Sequence, residues 1–298
     1  MKITIIGLGL IGGSLAIDLR KNKFATELVG VDASENHATQ ALKIGLIDRI
    51  ENLENGIKNA DIVIIAIPVD KEIIVLSKVL DLISSNTTVT DMGSTKRVII
   101  ESVKNHPRRK NFVPAHPMSG TENSGPTAAL ADLFKGRITI LCNQADSGPQ
   151  HLAMIEKMFQ TLGMSIAYMS ADEQDHSTAF VSHLPHAAAY ALANAVQSNE
   201  DRNIIFDLAS GGFNSTVRLA KSSSTMWQPI FQQNRNYVVE SLNVYIKHLK
   251  EFRDCLQNEE DDKLHDLIVN ANKIRGILEG ENPHLVKNEE KIVKFYTK

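Results

Sequence analysis

Short runs of β-branched and other apolar residues recur along the first half of the chain, at 3–6, 28–31, 62–67, 87–90, 111–115 and 138–142, with stretches of helical length between several of them. Alternation of this kind predicts an α/β unit, a largely parallel sheet with helices on both faces. In such sheets ligands gather beyond the carboxyl ends of the strands. The polar residues that follow the runs fall there: Gly7 to Gly12, Asp32, Pro68-Val69-Asp70, Asp91 to Ser94 and His116-Pro117. The pattern changes near residue 168. After Met169 no strand is indicated, and helical spacing continues to about Glu279. This predicts two domains, a Rossmann-type unit over 1–168 and an all-α unit over 169–298. The clearest helix carries Val238, Leu242, Tyr245, Leu249, Phe252 and Leu256, spaced alternately four and three apart. Such a stripe serves helix-on-helix packing, either inside a bundle or across a subunit interface. A small helical domain that must also border a cleft favours the second reading, a homodimer. Asn258 to Asp262 reads as an acidic, solvated turn, and the polar tail after Gly280 as frayed.

The first run opens a more specific signal. Gly7-Leu8-Gly9-Leu10-Ile11-Gly12 follows Ile3 to Ile6, and twenty residues beyond it Asp32 closes the second run. Strand, glycine turn, helix, strand and acid form the arrangement of a dinucleotide-binding unit. Gly7 turns the chain sharply, Gly9 admits a pyrophosphate and Gly12 lets the helix pack closely. The helix N-terminus then faces the phosphate charge. Asp32 would accept hydrogen bonds from ribose hydroxyls and repel a 2′-phosphate, and Ala33 and Ser34 offer no cation to reverse this. NAD is therefore expected over NADP. Leu10 and Ile11 in the turn, with Ile67, Pro68, Asp91 and Gly93 at neighbouring strand ends, complete the expected cofactor surface.

Composition narrows the setting. With 298 residues, 43% of them hydrophobic, the chain can bury one large core or two ordinary ones. A net charge of −3 leaves no basic stripe, so nucleic acid is not an expected partner. Glycines interrupt the apolar N-terminus where a secretory signal would be continuous. No segment is apolar for long enough to span a bilayer. Cys142 and Cys255 lie far apart and suggest neither a disulfide framework nor a metal cluster, which points to a reducing cytoplasm.

Four further segments could carry chemistry. In Asp91-Met92-Gly93-Ser94-Thr95-Lys96, Gly93 can turn the chain after a strand, and on spacing alone Ser94 or Thr95 reads first as a helix cap. Phe112 to Glu122 places His116 at a strand's carboxyl end, before a loop rich in Pro and Gly. Histidine titrates near neutrality and suits a general base, although a plain loop histidine fits the spacing equally. Ser182-His183-Leu184-Pro185-His186 puts two histidines on one helical face if the helix survives Pro185. They have no acidic or thiol partner at metal-ligand spacing. Gly211 to Arg218 is a glycine pair leading into a helix that presents an arginine, the natural bidentate partner of a carboxylate.

Taken together these segments resemble the prephenate and arogenate dehydrogenase family of tyrosine biosynthesis, over nearly the whole chain. The resemblance implies a Rossmann domain joined to a helical dimerisation domain, and oxidative decarboxylation of prephenate or its amino analogue arogenate with NAD(P). Asp91-x-Gly93-Ser94-x-Lys96 is similar to the family's catalytic serine segment, and His116-Pro117-x-x-Gly120-Thr121 to its catalytic histidine segment. Ser182, His183 and His186 match its substrate-binding helix, with His186 the principal contact. Arg218 matches its carboxylate-binding arginine and Trp227 the tryptophan that follows. Glu122 corresponds to an acid beside the active site and could meet an ammonium group. The chain leaves no room for the fused mutase or regulatory domain of some relatives. A β-hydroxy-acid dehydrogenase of similar layout would be expected to use a lysine of the helical domain. A non-catalytic NAD-sensing regulator would not need Ser94, His116 and Arg218.

Overall fold

The computed structural model describes residues 1–198, 206–278 and 293–295. Six strands form the first sheet: β1 (Lys2–Ile6), β2 (Glu27–Val31), β3 (Arg49–Ile50), β4 (Ile62–Ile65), β5 (Thr88–Asp91) and β6 (Phe112–Val113). Their order is β3-β2-β1-β4-β5-β6, with every pair parallel. Helices α1 (Leu10–Lys21), α2 (Glu35–Lys43), α3 (Leu53–Ile57), α4 (Val69–Leu82), α5 (Arg97–Ser102) and α6 (Pro149–Thr161) occupy the connections. Along β4, Ile62 and Ile64 join one apolar cluster, with Leu15, Leu19 and Phe159, while Val63 and Ile65 join another, with Leu76 and Val79. A strand covered on both faces reads as an unbroken apolar run, which is why the sequence shows it plainly.

The run 111–115 does not form one strand. Pro114 has no N–H to extend the ladder, and beyond it the chain leaves the first sheet. Four strands make the second sheet: β7 (Ala115–Pro117), β8 (Ile138–Cys142), β9 (Ser165–Met169) and β10 (Val293–Phe295), in the order β10-β9-β8-β7. Only β7 runs antiparallel to its neighbour, and it sets His116 opposite Ile140. His116 thus lies within a buried strand rather than at its end. Strands β3 and β9 have no counterpart among the six apolar runs. Strand β10 corrects the expectation that none follows Met169, since its backbone pairs parallel with β9. The tail expected to fray lies mostly outside the described residues.

Helical structure dominates after β9. Helix α7 (Ala171–Thr178) starts from a capping box between Ser170 and Glu173 and passes through a π-helical turn, Ala179–His183, into α8 (Leu184–Gln197). Pro185 falls in the first turn of α8, where its missing N–H is tolerated, so the helical course survives it. There follow α9 (Gly211–Val217), α10 (Ser224–Gln233), α11 (Arg235–Gln257), α12 (Asp261–Asn272) and α13 (Ile274–Leu278). The acidic turn is shorter than expected, because Asp261 and Asp262 enter the first turn of α12, where the helix dipole favours them. On α11 Val238 is buried, but Tyr245, Leu249, Phe252 and Leu256 are 36–57% exposed. Among the described residues, therefore, nothing closes over most of the stripe. No helix among the described residues is long and apolar enough to cross a membrane.

Candidate active site

At the carboxyl end of β1 the three glycines have separable steric reasons. Gly7 sits at φ 94°, and a Cβ there would come 2.3 Å from the Ala66 carbonyl oxygen. A Cβ on Gly12 would come 1.9 Å from the Gly7 oxygen. One on Gly9 would meet nothing within 4 Å. Gly9 is also the N-cap of α1 and supplies no side-chain partner to the helix's first N–H groups. Open space in front of unpaired amides is what a pyrophosphate requires. Leu10 is buried and Ile11 half-buried in that first turn. Ile67 packs against Gly7, and Pro68 beside it is exposed. Asp32 is fixed by its backbone contacts: Leu8 N–H donates to Oδ2 and Ser34 N–H to Oδ1, each at 2.8 Å. The residues present fit a dinucleotide.

The turn after β5 is built differently from its local sequence. Helix α5 receives no cap from Ser94 or Thr95. Asp175, from α7, accepts the N–H groups of Lys96 at 2.7 Å and Arg97 at 3.0 Å. Thr95 donates instead to Gln233 of α10, whose amide donates to the Val69 carbonyl. These bonds fasten the helical elements onto the strand ends. They also leave the Ser94 hydroxyl buried with no hydrogen-bond partner among the described residues.

Beneath the turn lies a sealed charge cluster. Lys96, Asp91 and Glu72 are fully buried, and the Lys96 ammonium contacts Asp91. Asp91, expected on the cofactor surface, is instead occupied by internal donors: Gly93 N–H at 3.0 Å, Ala115 N–H at 3.1 Å and Lys96. Burial disfavours the Lys96 ammonium, but Asp91 and then Glu72 together offset this and hold its pKa above the ordinary lysine value. Glu72 meets no donor among the described residues. Burial, then the neighbouring Asp91 charge, push its pKa far up, which favours the protonated form. Gly93 is required by the same packing, since a Cβ would come 2.8 Å from Glu72 and 3.0 Å from Asp91.

His116 stands over this cluster. Burial, then the Lys96 charge and His183, lower its pKa well below 6.5, so the ring is neutral. The cation that acts on it is Lys96. Gln174 Nε2 lies 2.9 Å from His116 Nδ1 and 3.0 Å from the Ser94 carbonyl, tying the serine turn to the histidine strand. No hydrogen bond within the described residues reaches His116 Nε2.

The histidines of the helical half separate in character. His183 is fully buried, and desolvation lowers its pKa to about 4. Asn234 donates to its Nδ1 at 3.0 Å, so the neutral ring carries its proton on Nε2, which has no partner. His186 is half-buried, bonds the Ser182 carbonyl through Nδ1 at 2.9 Å, and stacks on Trp227 with ring centroids 3.5 Å apart. The Trp227 indole N–H is also buried and, among the described residues, unpartnered. Arg218 is half-exposed and donates to Glu122 at 2.7 Å. His186 feels the Arg218 charge, which adds to burial in lowering its pKa. Gln174, Asp175, Asn234 and Glu72 were not among the residues singled out from sequence. None stands at a recognisable spacing from the residue it serves.

A separate cavity of about 580 Å³ opens on the helical half, lined by Tyr190, Trp227, Phe231, Val238 and Leu242 among others. It includes neither His116, Ser94 nor Arg218, and it continues the exposed stripe of α11.

Comparison with known proteins matches residues 15–168 to the family model described as prephenate dehydrogenase, nucleotide-binding domain, and residues 170–270 to prephenate dehydrogenase, dimerization domain. A prephenate dehydrogenase of Bacillus subtilis is 32% identical over 92% of this chain and 76% of its own length. A cyclohexadienyl dehydrogenase of Zymomonas mobilis is 33% identical over 92% of this chain and 94% of its own. Among solved structures, the prephenate dehydrogenase of A. aeolicus in complex with hydroxyphenyl propionate and NAD+ superposes with a TM-score of 0.86 at 29% identity. That match covers 93% of this chain and 98% of the other.

Proposed function

The chain belongs to the prephenate dehydrogenase family, and from that premise we propose that it converts prephenate to 4-hydroxyphenylpyruvate with NAD, an oxidative decarboxylation in tyrosine biosynthesis. The observation that carries this reading is a neutral, buried His116 joined through one amide to a serine whose hydroxyl has no partner. Residues 1–168 serve as the nucleotide unit. Residues 169–298 complete the substrate site and pair two chains through the α11 stripe.

Prephenate is a cyclohexadiene with a ring carboxylate and, across the ring, a carbon bearing hydroxyl and hydrogen. Gly7, Gly9, Gly12 and Asp32 would hold NAD, which would supply the acceptor for the hydride of that carbon. His116 takes the hydroxyl proton, and Ser94 Oγ holds the substrate oxygen in the geometry that transfer needs. The ring then loses its carboxylate as carbon dioxide and becomes aromatic. The electron pair released reaches the former hydroxyl oxygen, which recovers its proton from His116. The proton on His183 Nε2 and the Trp227 N–H meet substrate oxygens, and Arg218 pairs with a carboxylate.

The test is NADH absorbance on mixing the protein with NAD and prephenate. NAD should be preferred over NADP at least about tenfold, roughly 1.4 kcal/mol, through Asp32. His116→Asn should cost about 10²–10⁴ in rate. A neutral base is active above its pKa and lost as pH falls through it. Because burial, Lys96 and His183 all depress that pKa, the acidic limb of kcat/KM should lie below pH 6.5. Bound substrate does not enter, since kcat/KM reports the free enzyme. Absence of NADH with both prephenate and arogenate would refute the reading.

A further inference from the structure

Gln174 is fully buried between the two halves of the molecule, and its amide nitrogen has two partners pointing at it. The Ser94 carbonyl, 3.0 Å away, only accepts hydrogen bonds, so the amide must turn its NH₂ towards it. The same nitrogen lies 2.9 Å from His116 Nδ1 and therefore donates its other proton there. It also lies 3.4 Å from the Thr178 hydroxyl, a long third contact. A neutral imidazole that accepts at Nδ1 carries its own proton on Nε2. Nε2 is the nitrogen left for substrate, and a base must have it bare. The opposite end of the amide, Gln174 Oε1, is buried without a partner.

We propose that Gln174 is a positioning residue that selects the ring tautomer of His116, and that His116 becomes a base at Nε2 only when the Gln174 amide turns over to set Oε1 against Nδ1–H. The inference rests on the role given to His116 above. Neither amide orientation satisfies every group. In the orientation described, Oε1 has no donor among the described residues; turned over, Oε1 faces the Ser94 carbonyl oxygen, acceptor against acceptor, so that orientation is favoured only while Nδ1 carries a proton for it. Two incomplete arrangements of one side chain form a switch that a proton can tip. Imidazolium has N–H on both nitrogens, so taking a proton at Nε2 requires an acceptor at Nδ1, and the turned amide supplies it. A neutral amide stabilises imidazolium less than a carboxylate would, which leaves the proton ready to return to the product oxygen. A ring held in the wrong tautomer by an amide is known to disable a histidine base without disturbing geometry.

The charged and titratable neighbours do not supply another acceptor. Lys96 from the β5 turn and His183 from the π-helical turn both act against protonation of His116. Asp91 is engaged by Lys96 and two backbone amides, Asp175 by the amides of Lys96 and Arg97, and burial with the Asp91 charge favours the protonated form of Glu72.

The experiment is ¹⁵N NMR of the histidine rings, joined to pH profiles of kcat/KM for wild type, Gln174→Glu and Gln174→Met. Ligand-free wild type should show neutral His116 as the Nε2–H tautomer. Gln174→Glu, which offers only acceptors when ionised, should show Nδ1–H and move the acidic limb up by about one pH unit or more. Gln174→Met should lower kcat by roughly 10–100-fold with the prephenate KM within about threefold, as expected when orientation rather than binding is lost. Wild-type His116 found as Nδ1–H, or three proteins sharing one acidic limb and one kcat, would overturn the proposal. A wild type that turns over neither cyclohexadiene refutes the function, while the ring shifts still decide the tautomer.

Discussion

Replacing Lys96 by Met removes the cation beneath the Ser94 turn and keeps a side chain of similar reach, so it isolates the charge. In the native protein Lys96 and Asp91 are wholly buried, and Asp91 is held in place by the N–H groups of Gly93 and Ala115. Its carboxylate cannot swing out to water when Lys96 is lost. Removing one partner of a buried pair leaves an uncompensated charge and costs about 3–5 kcal/mol. At roughly 2–4 °C per kcal/mol for a domain of 150–250 residues, the melting temperature should fall by about 6–20 °C. Adding Asp91→Asn removes the stranded charge, keeps one acceptor for the turn, and should recover most of the stability. Thermal melts of the three proteins at neutral pH measure both effects. The same substitution relieves one cause of the low His116 pKa, so the acidic limb of kcat/KM should move to higher pH, towards the ordinary 6.5. A Lys96→Met protein that melts within about 2 °C of wild type, with an unmoved acidic limb, would refute the argument that this pair is charged and felt by His116.

Arg218→Ala should weaken prephenate binding by about 2–5 kcal/mol, read as a raised KM, with NAD affinity and melting temperature unchanged. Arg218 is half-exposed, and such pairs contribute little to stability, so a wild-type KM would remove it from the site. Leu249 and Phe252 are 50% and 43% exposed on α11, and replacing both by Asp should convert a wild-type dimer into monomer by sedimentation. A wild type that is monomeric at micromolar concentration would show that the stripe pairs no second copy.

What the sequence disclosed and what it concealed divide along one physical line. Strand β4 of the first sheet was legible because a strand buried on both faces reads as apolar at every position, as Ile62 to Ile65 do. The glycine turn was legible because its constraints act between atoms near in the chain, Gly12 against Gly7 for example. Strand β3 has two residues at the sheet edge, and β9 mixes Ser165 and Tyr168 with Ile166, so neither produces a run. The site failed in the same way wherever its partners are remote. His116 was visible, but Gln174, 58 residues on, was not. Local rules assigned Ser94 or Thr95 to cap α5, and that assignment is wrong because Asp175, 79 residues beyond Lys96, supplies both acceptor oxygens. The error is informative. A cap brought from another element releases the hydroxyl that the local sequence would have consumed, and Ser94 Oγ is left buried and unpartnered. Sites of function are where such local expectations are overridden.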